Sequence, residues 1–194
     1  METVPAIWTI GHSTHSLERF LELLEAEQVE FLVDVRSYPY SRFAPQFNRE
    51  ELAAEMDDRG ARYLFLGEEL GGRPSRPEHY DSEGHALYGE MAQEPTFHKA
   101  ISRLVDGAGT HRIALMCSEG KPEDCHRRLL VGKVLTERGL LLRHVLPDGT
   151  VFEEDEVKLA PASSQEALFS EGEQAWRSTR SVSRRRRLNT SSAA

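Results

Sequence analysis

Hydrophobic positions along the chain fall into short, nearly continuous runs separated by amphipathic stretches. Ala6-Ile7-Trp8-Thr9-Ile10 reads as a buried strand closed by Gly11, and Ser16 is placed to cap a helix whose apolar positions Leu17, Phe20, Leu21 and Leu24 keep helical spacing. Phe31-Leu32-Val33-Asp34-Val35-Arg36 makes a second strand. Asn48, with Glu51 three residues on, predicts a capping box for a helix that carries Leu52 and Met56 and ends at Gly60. Tyr63-Leu64-Phe65-Leu66 supplies a third strand, followed over residues 67–77 by a long loop rich in Gly, Pro and Arg. Helical patterns resume near Tyr80 and around Phe97, Ile101 and Leu104. A fourth strand ends at Cys117, its helix runs through Leu129, Leu130, Val134 and Leu135 to Gly139, and residues 140–146 make a fifth strand before the turn Pro147-Asp148-Gly149.

Strands that alternate with helices and are apolar throughout are covered on both faces. The pattern therefore predicts an α/β fold, a mainly parallel open sheet with helices on both faces in a Rossmann-like three-layer arrangement, plus a disordered basic C-terminal tail. Strand order is not readable, and no internal repeat is present. With 194 residues, 39% of them hydrophobic, the chain can bury one sizeable core. The expected division is an α/β domain over residues 1–160 and a flexible tail over 161–194, where Ser, Gln, Glu and then Arg dominate.

Charge divides the chain the same way. The formal net charge is −8, yet Arg177, Arg180 and Arg184 to Arg187 follow the last acid, and removing those six positive charges leaves −14 for the rest. So acidic a body argues against broad nonspecific nucleic-acid binding by the globular surface, while the tail can contact phosphates. No apolar run approaches the roughly 20 residues of a membrane span, and a cytoplasmic protein without membrane contact is expected. Two cysteines are too few for a disulfide scaffold, so Cys117 and Cys125 read as thiols.

Parallel strands bring their carboxyl ends to one edge, where ligands of open α/β sheets settle. The strand ends here are Gly11-His12-Ser13, Asp34-Val35-Arg36-Ser37, Leu66-Gly67-Glu68-Glu69 and Cys117-Ser118-Glu119. Asp34 and Arg36, two apart, face one side of their strand, suited either to orienting a histidine or substrate or to a structural ion pair. Cys117, facing a helix that opens with Cys125-His126-Arg127, reads either as a thiolate nucleophile of lowered pKa or as a small core residue. A tyrosine-phosphatase loop is excluded, since that pattern needs Arg six residues after the Cys and Glu123 stands there. Zinc is tested by the same residues with His12. Neighbouring positions such as Cys125 and His126 are expected to diverge on a helix, so no metal and no cofactor is predicted. His126 is better suited to acid-base work with Glu119 as partner.

At Thr9-Ile10-Gly11-His12-Ser13, Asp34-Val35-Arg36-Ser37, Pro45-Gln46-Phe47-Asn48, Leu70-Gly71-Gly72-Arg73, Cys117-Ser118-Glu119 and Cys125-His126-Arg127 the chain resembles the bacterial family known as domain of unknown function 488. These ordered motifs span about residues 7–145. The resemblance implies a compact α/β domain with a shared polar site and brings no established reaction.

Two functions of different class follow. The first is a thiol- or acid/base-dependent hydrolase or transferase acting on a small anionic substrate, a nucleotide or a nucleic-acid group. Cys117, Glu119, His126 and Asp34 would carry the chemistry; His12, Ser13, Arg36, Asn48, Arg73 and Arg127 would bind. The second is a noncatalytic repair or replication accessory, because Gln165-Glu166-Ala167-Leu168-Phe169 is similar to the Gln-x-x-Leu-Phe peptides that dock on the bacterial sliding clamp. Leu168 and Phe169 would fill an apolar groove and Gln165 would make polar contacts.

Overall fold

The computed structural model of the protein describes residues 4–154 and 176–183. Six strands, β1 (Ala6–Gly11), β2 (Phe31–Asp34), β3 (Arg62–Phe65), β4 (Ile113–Cys117), β5 (Leu141–Val145) and β6 (Val151–Glu153), form one sheet among the described residues in the order β3-β2-β4-β1-β5-β6. The first five run parallel. β6, which the sequence pattern left out, returns antiparallel to β5 after the expected turn.

Alternate side chains of each central strand serve opposite faces, as the two-residue strand period requires. Ile7, Val33 and Leu115 point into one core, whereas Trp8, Ile10, Leu32 and Met116 point into the other. Helices α1 (Leu17–Ala26) and α2 (Arg49–Asp58) cover the second face. The first face is covered by α3 (Gly67–Leu70), α4 (Tyr88–Met91), α5 (Pro95–Ala108) and a π-helical run, Arg127–Gly132, that continues as α6 (Lys133–Glu137). This is the three-layer α/β arrangement read from the sequence. Each buried large apolar side chain, such as Phe20, Leu21, Leu23 and Leu24 of α1, contributes about 1.5–3 kcal/mol.

Helix starts were only half legible. The Ser16 hydroxyl accepts a hydrogen bond from Arg19 N at 3.2 Å and caps α1 as expected. Asn48 does occupy the N-cap of α2 but makes no capping bond. Its Oδ1 accepts from Ser41 N at 2.8 Å, so the predicted capping box is absent and the side chain braces the loop after β2 instead.

Strand order creates a crevice. From β1 the chain leaves to α1 on one face, and from the adjacent β4 it leaves to the π-helical run on the other, so their loops part above the sheet. That is the topological switch point at which open α/β sheets bind ligands.

Residues 176–183, within the segment read as tail, pack on the domain. Trp176 Nε1 donates to Leu129 O at 2.8 Å and the Lys133 ammonium lies 3.9 Å from the indole centroid. Ser178 N donates to Ala86 O, and its hydroxyl accepts from Ala86 N, both at 2.9 Å. Arg177 pairs with Asp81. Gln165, Leu168, Phe169 and Arg184 to Arg187 lie outside the described residues. Among the described residues no helix is long and apolar enough to cross a membrane.

Candidate functional site

Sheet hydrogen bonding continues past the strand ends and fixes the crevice walls. His12 N donates to Cys117 O at 2.9 Å, Ser13 N to Ser118 O at 3.0 Å, and Val35 N to Met116 O at 3.1 Å. The three strand ends are therefore held side by side. Two glycines permit the approach of the loops. A Cβ on Gly11 would lie 1.7 Å from the Glu119 carbonyl oxygen, and one on Gly72 would lie 2.5 Å from Cγ of the His126 ring.

Above these ends lies a cavity of about 420 Å3. Six of the ten site residues proposed within the domain line it: His12, Arg36, Arg73, Cys117, Glu119 and His126. Ser13 lines a neighbouring hollow that shares His12; Asp34 and Arg127 are buried out of the lining, and the half-buried Asn48 is outside it, bonded to Ser41 N. A third hollow, containing Glu68, Glu69 and His79, adjoins through Ser37, Tyr38 and Arg73.

The thiol and the imidazole meet on the cavity wall. Cys117 Sγ lies 3.7 Å from His126 Nδ1, and Cys125 Sγ lies 4.0 Å from the same nitrogen. His126 Nε2 is 2.8 Å from the Val35 carbonyl, which only accepts, so Nε2 carries the hydrogen and Nδ1 is turned to the sulfurs. The sequence expectation that Cys125 and His126 diverge is corrected here: Cys125 belongs to the loop before helical backbone begins, where helical side-chain spacing does not apply. The expected His126–Glu119 partnership is replaced by contacts to sulfur and to Val35, with Glu119 acting on His126 through charge alone.

Electrostatics separate the two thiols. A hydrogen bond from Cys125, then the charges of His126 and Arg127, hold Cys117 well below the usual thiol range despite its burial. Burial and the negative Cys117 beside it push Cys125 well above that range. Burial alone would lower His126, but the Cys117 thiolate and the Val35 carbonyl outweigh it and raise its pKa. Of the two thiols Cys117 is thus the more acidic and Cys125 the less, and His126 is the more basic for standing beside them. His12 behaves oppositely. It stacks on Phe47 with ring centroids 4.5 Å apart, and burial followed by the nearby Arg36 charge lowers its pKa and keeps it neutral.

In the wall and behind it the charged groups hold the scaffold. Arg36 forks onto Asp34, at 2.6 Å for its shortest contact, and donates to Phe47 O at 2.7 Å. Tyr63 donates to the same Asp34 carboxylate at 2.6 Å, and burial beside that anion raises the phenol's pKa. Asp34 thus orients Arg36 and Tyr63 and forms a buried ion pair beneath the cavity. Arg127, with no exposed surface, donates to the carbonyls of Glu119 and Gly120. That guanidinium clamps the loop after β4 and reaches Cys117 only through its field, which corrects its reading as a direct anion contact.

Several wall residues were not recognised from the sequence. Ser178 to Val182 form one side, together with Tyr38, Tyr40, Tyr88 and Asp124. Arg180, 3.3 Å from Asp124, adds a second exposed cation to the lining beside Arg73. The Arg-rich composition was visible, but only the packing of Trp176 and Ser178 brings Arg180 to the cavity.

Among the described residues two groups of side chains have metal-ligand spacing. Cys117, Cys125 and His126 hold their donor atoms within 4.8 Å of one another, and so do Asp81, Glu83 and His85. Two sulfurs and an imidazole suit a soft ion such as zinc, with a fourth ligand from the cavity. The second group is already engaged by Arg177.

The family model described as Domain of unknown function DUF488 matches residues 16–134, more than half of the chain, from α1 through the π-helical run. No curated protein and no solved structure matches the chain.

Proposed function

We propose that this chain, which belongs to the DUF488 family, is an enzyme acting on an anionic substrate, of the nucleotide or nucleic-acid class, with the Cys117–His126 pair as its reactive centre. The observation that carries this reading is the 3.7 Å approach of Cys117 Sγ to His126 Nδ1 on the wall of a polar cavity. A thiol of lowered pKa is the nucleophile thiol chemistry requires, and an imidazole beside it accepts or returns the proton.

The surroundings favour a negatively charged partner. Arg73 and Arg180 stand at the mouth, Arg36 lies in the wall, and His126 gains cationic character. Tyr38 and Tyr40 are half exposed at the same mouth and offer aromatic faces for a base. In a thiol mechanism Cys117 attacks an electrophilic carbon or phosphorus. The leaving group takes a proton from the His126 imidazolium, and water activated by the neutral ring releases the covalent intermediate. Glu119, one of the carboxylates lining the cavity, would position that water.

Binding and protection test the reading. Inorganic phosphate, a nucleoside monophosphate and a short single-stranded oligonucleotide are titrated into the full chain, with NMR shifts and the rate of Cys117 alkylation as readouts. At least one should bind and slow alkylation, and Arg73→Ala with Arg180→Ala should weaken it about tenfold or more, the scale of two lost charge-assisted contacts. Binding by none, with unaltered alkylation, overturns the proposal.

A further inference from the structure

We infer that Cys117 and Cys125 form a reversible dithiol–disulfide couple, a modification site for hydroperoxides that caps the reactive thiol. The inference rests on the placing of the two sulfurs beside one imidazole nitrogen and needs nothing from the identity of the substrate.

Three observations carry it. The two sulfurs, from different parts of the fold, lie within 4.8 Å of each other. They are unequal in access: Cys117 lines the cavity, whereas Cys125 has no exposed surface and stands behind it. A single nitrogen, His126 Nδ1, is within 4.0 Å of both and can receive a proton from one and pass it on. An outer thiol on the cavity wall, an inner thiol behind it and a shared base are what peroxide-driven disulfide formation needs.

The chemistry balances. The Cys117 thiolate attacks one oxygen of the peroxide, the O–O bond breaks, and the departing alkoxide or hydroxide takes a proton from His126. Cys117 is left as a sulfenic acid, oxidised by two electrons, and the peroxide is reduced by two. Cys125 then gives its proton to Nδ1 and attacks the Cys117 sulfur; the S–S bond forms, the S–O bond breaks, and the leaving hydroxide recovers the proton as water. The sulfurs must close to about 2.0 Å. Cys125 lies at the end of the loop 118–125, ahead of the helical backbone, so closure requires a rearrangement within that loop.

The couple accounts for a buried second thiol that the substrate chemistry does not use. It also protects Cys117 from irreversible oxidation, since a resolving thiol competes with further attack by peroxide.

The test uses the reduced full-length protein and hydrogen peroxide, with intact mass, free-thiol titration and peptide mapping. The expected result is loss of both free thiols and of the mass of two hydrogens, one peptide cross-linked between Cys117 and Cys125, and full recovery with dithiothreitol. In Cys125→Ser the sulfenic acid should persist at Cys117 and be trapped by dimedone; the wild-type peptide map serves as an independent measurement should that variant misfold. Gain of oxygens at Cys117 without a cross-link overturns the inference. So does a cross-link between chains, or inertness of both thiols, including inertness caused by a metal ion co-purifying on them. Because none of these readouts involves a substrate, disulfide formation without anion binding would leave the couple standing and remove only the proposed enzyme function.

Discussion

Cys117 Sγ lies 3.7 Å from His126 Nδ1, across a separation of nine residues and two different elements. The contact depends on the sheet, because β4 delivers the thiol and the helix on the opposite side of the loop delivers the ring, which Val35 beyond β2 then orients. Anything that displaces the ring should change the ionisation of the thiol, even without touching sulfur.

Gly72→Ala makes that displacement. The added Cβ would sit 2.5 Å from the His126 ring, a distance side chains do not tolerate. Overpacking of this kind costs about 1–3 kcal/mol. The expected result is a folded protein whose Cys117 alkylation rate moves toward that of an ordinary thiol; an unchanged rate would show that the ring position does not govern the thiol.

The buried ion pair of Asp34 and Arg36 should behave as scaffold. Asp34 has no exposed surface and also accepts from Tyr63. Removing one partner of a buried pair typically costs about 3–5 kcal/mol. Asp34→Asn should therefore lower stability in urea unfolding by roughly that amount, with Tyr63 and Arg36 both losing an acceptor. A loss below about 1 kcal/mol, the range of exposed pairs, would mean that the pair is not a structural element.

How much of this was legible in the sequence follows from range of interaction. The strand and helix pattern depends on local periodicity, and the runs around Ile7, Val33 and Leu115 showed it. The clustering of His12, Arg36, Cys117 and Glu119 at one edge followed from parallel strands alone. The roles of Asn48 and Arg127 were not legible, because each turns to a backbone partner that only tertiary packing supplies. Cys125 was misread because helical spacing was applied one residue too early. The wall from Ser178 to Val182 was hidden for a different reason: its composition is polar, and its order comes from hydrogen bonds to Ala86 and Gly84 and from the seating of Trp176.

Trp176→Ala tests that last point. The indole is only partly buried, so the cost should fall below the 3–5 kcal/mol of a fully buried Trp, at about 2 kcal/mol. The informative readout is local: amide exchange at Ser178 and Val182 should accelerate while the strands β1 and β4 stay protected. Unchanged exchange would mean that the tryptophan does not anchor the segment.

The pH dependence of the thiol has a definite sign. An unperturbed cysteine, with a pKa of about 8.5, loses its thiolate as pH falls from 8 to 6, and its alkylation slows by roughly 70-fold. Cys117 is held well below that range by the Cys125 hydrogen bond, His126 and Arg127. Its alkylation should therefore change little over the same interval, with Cys125, whose pKa is raised, remaining unreactive.

The most direct measurement is an ultraviolet titration of the thiolate band in the reduced full chain, with Cys117→Ser as the control. One thiolate should already be present at neutral pH, disappear only in the acid range and be missing from the variant. Thiolate absorbance that arises entirely above about pH 8, the range of ordinary cysteines, in both proteins would contradict a reactive centre at Cys117.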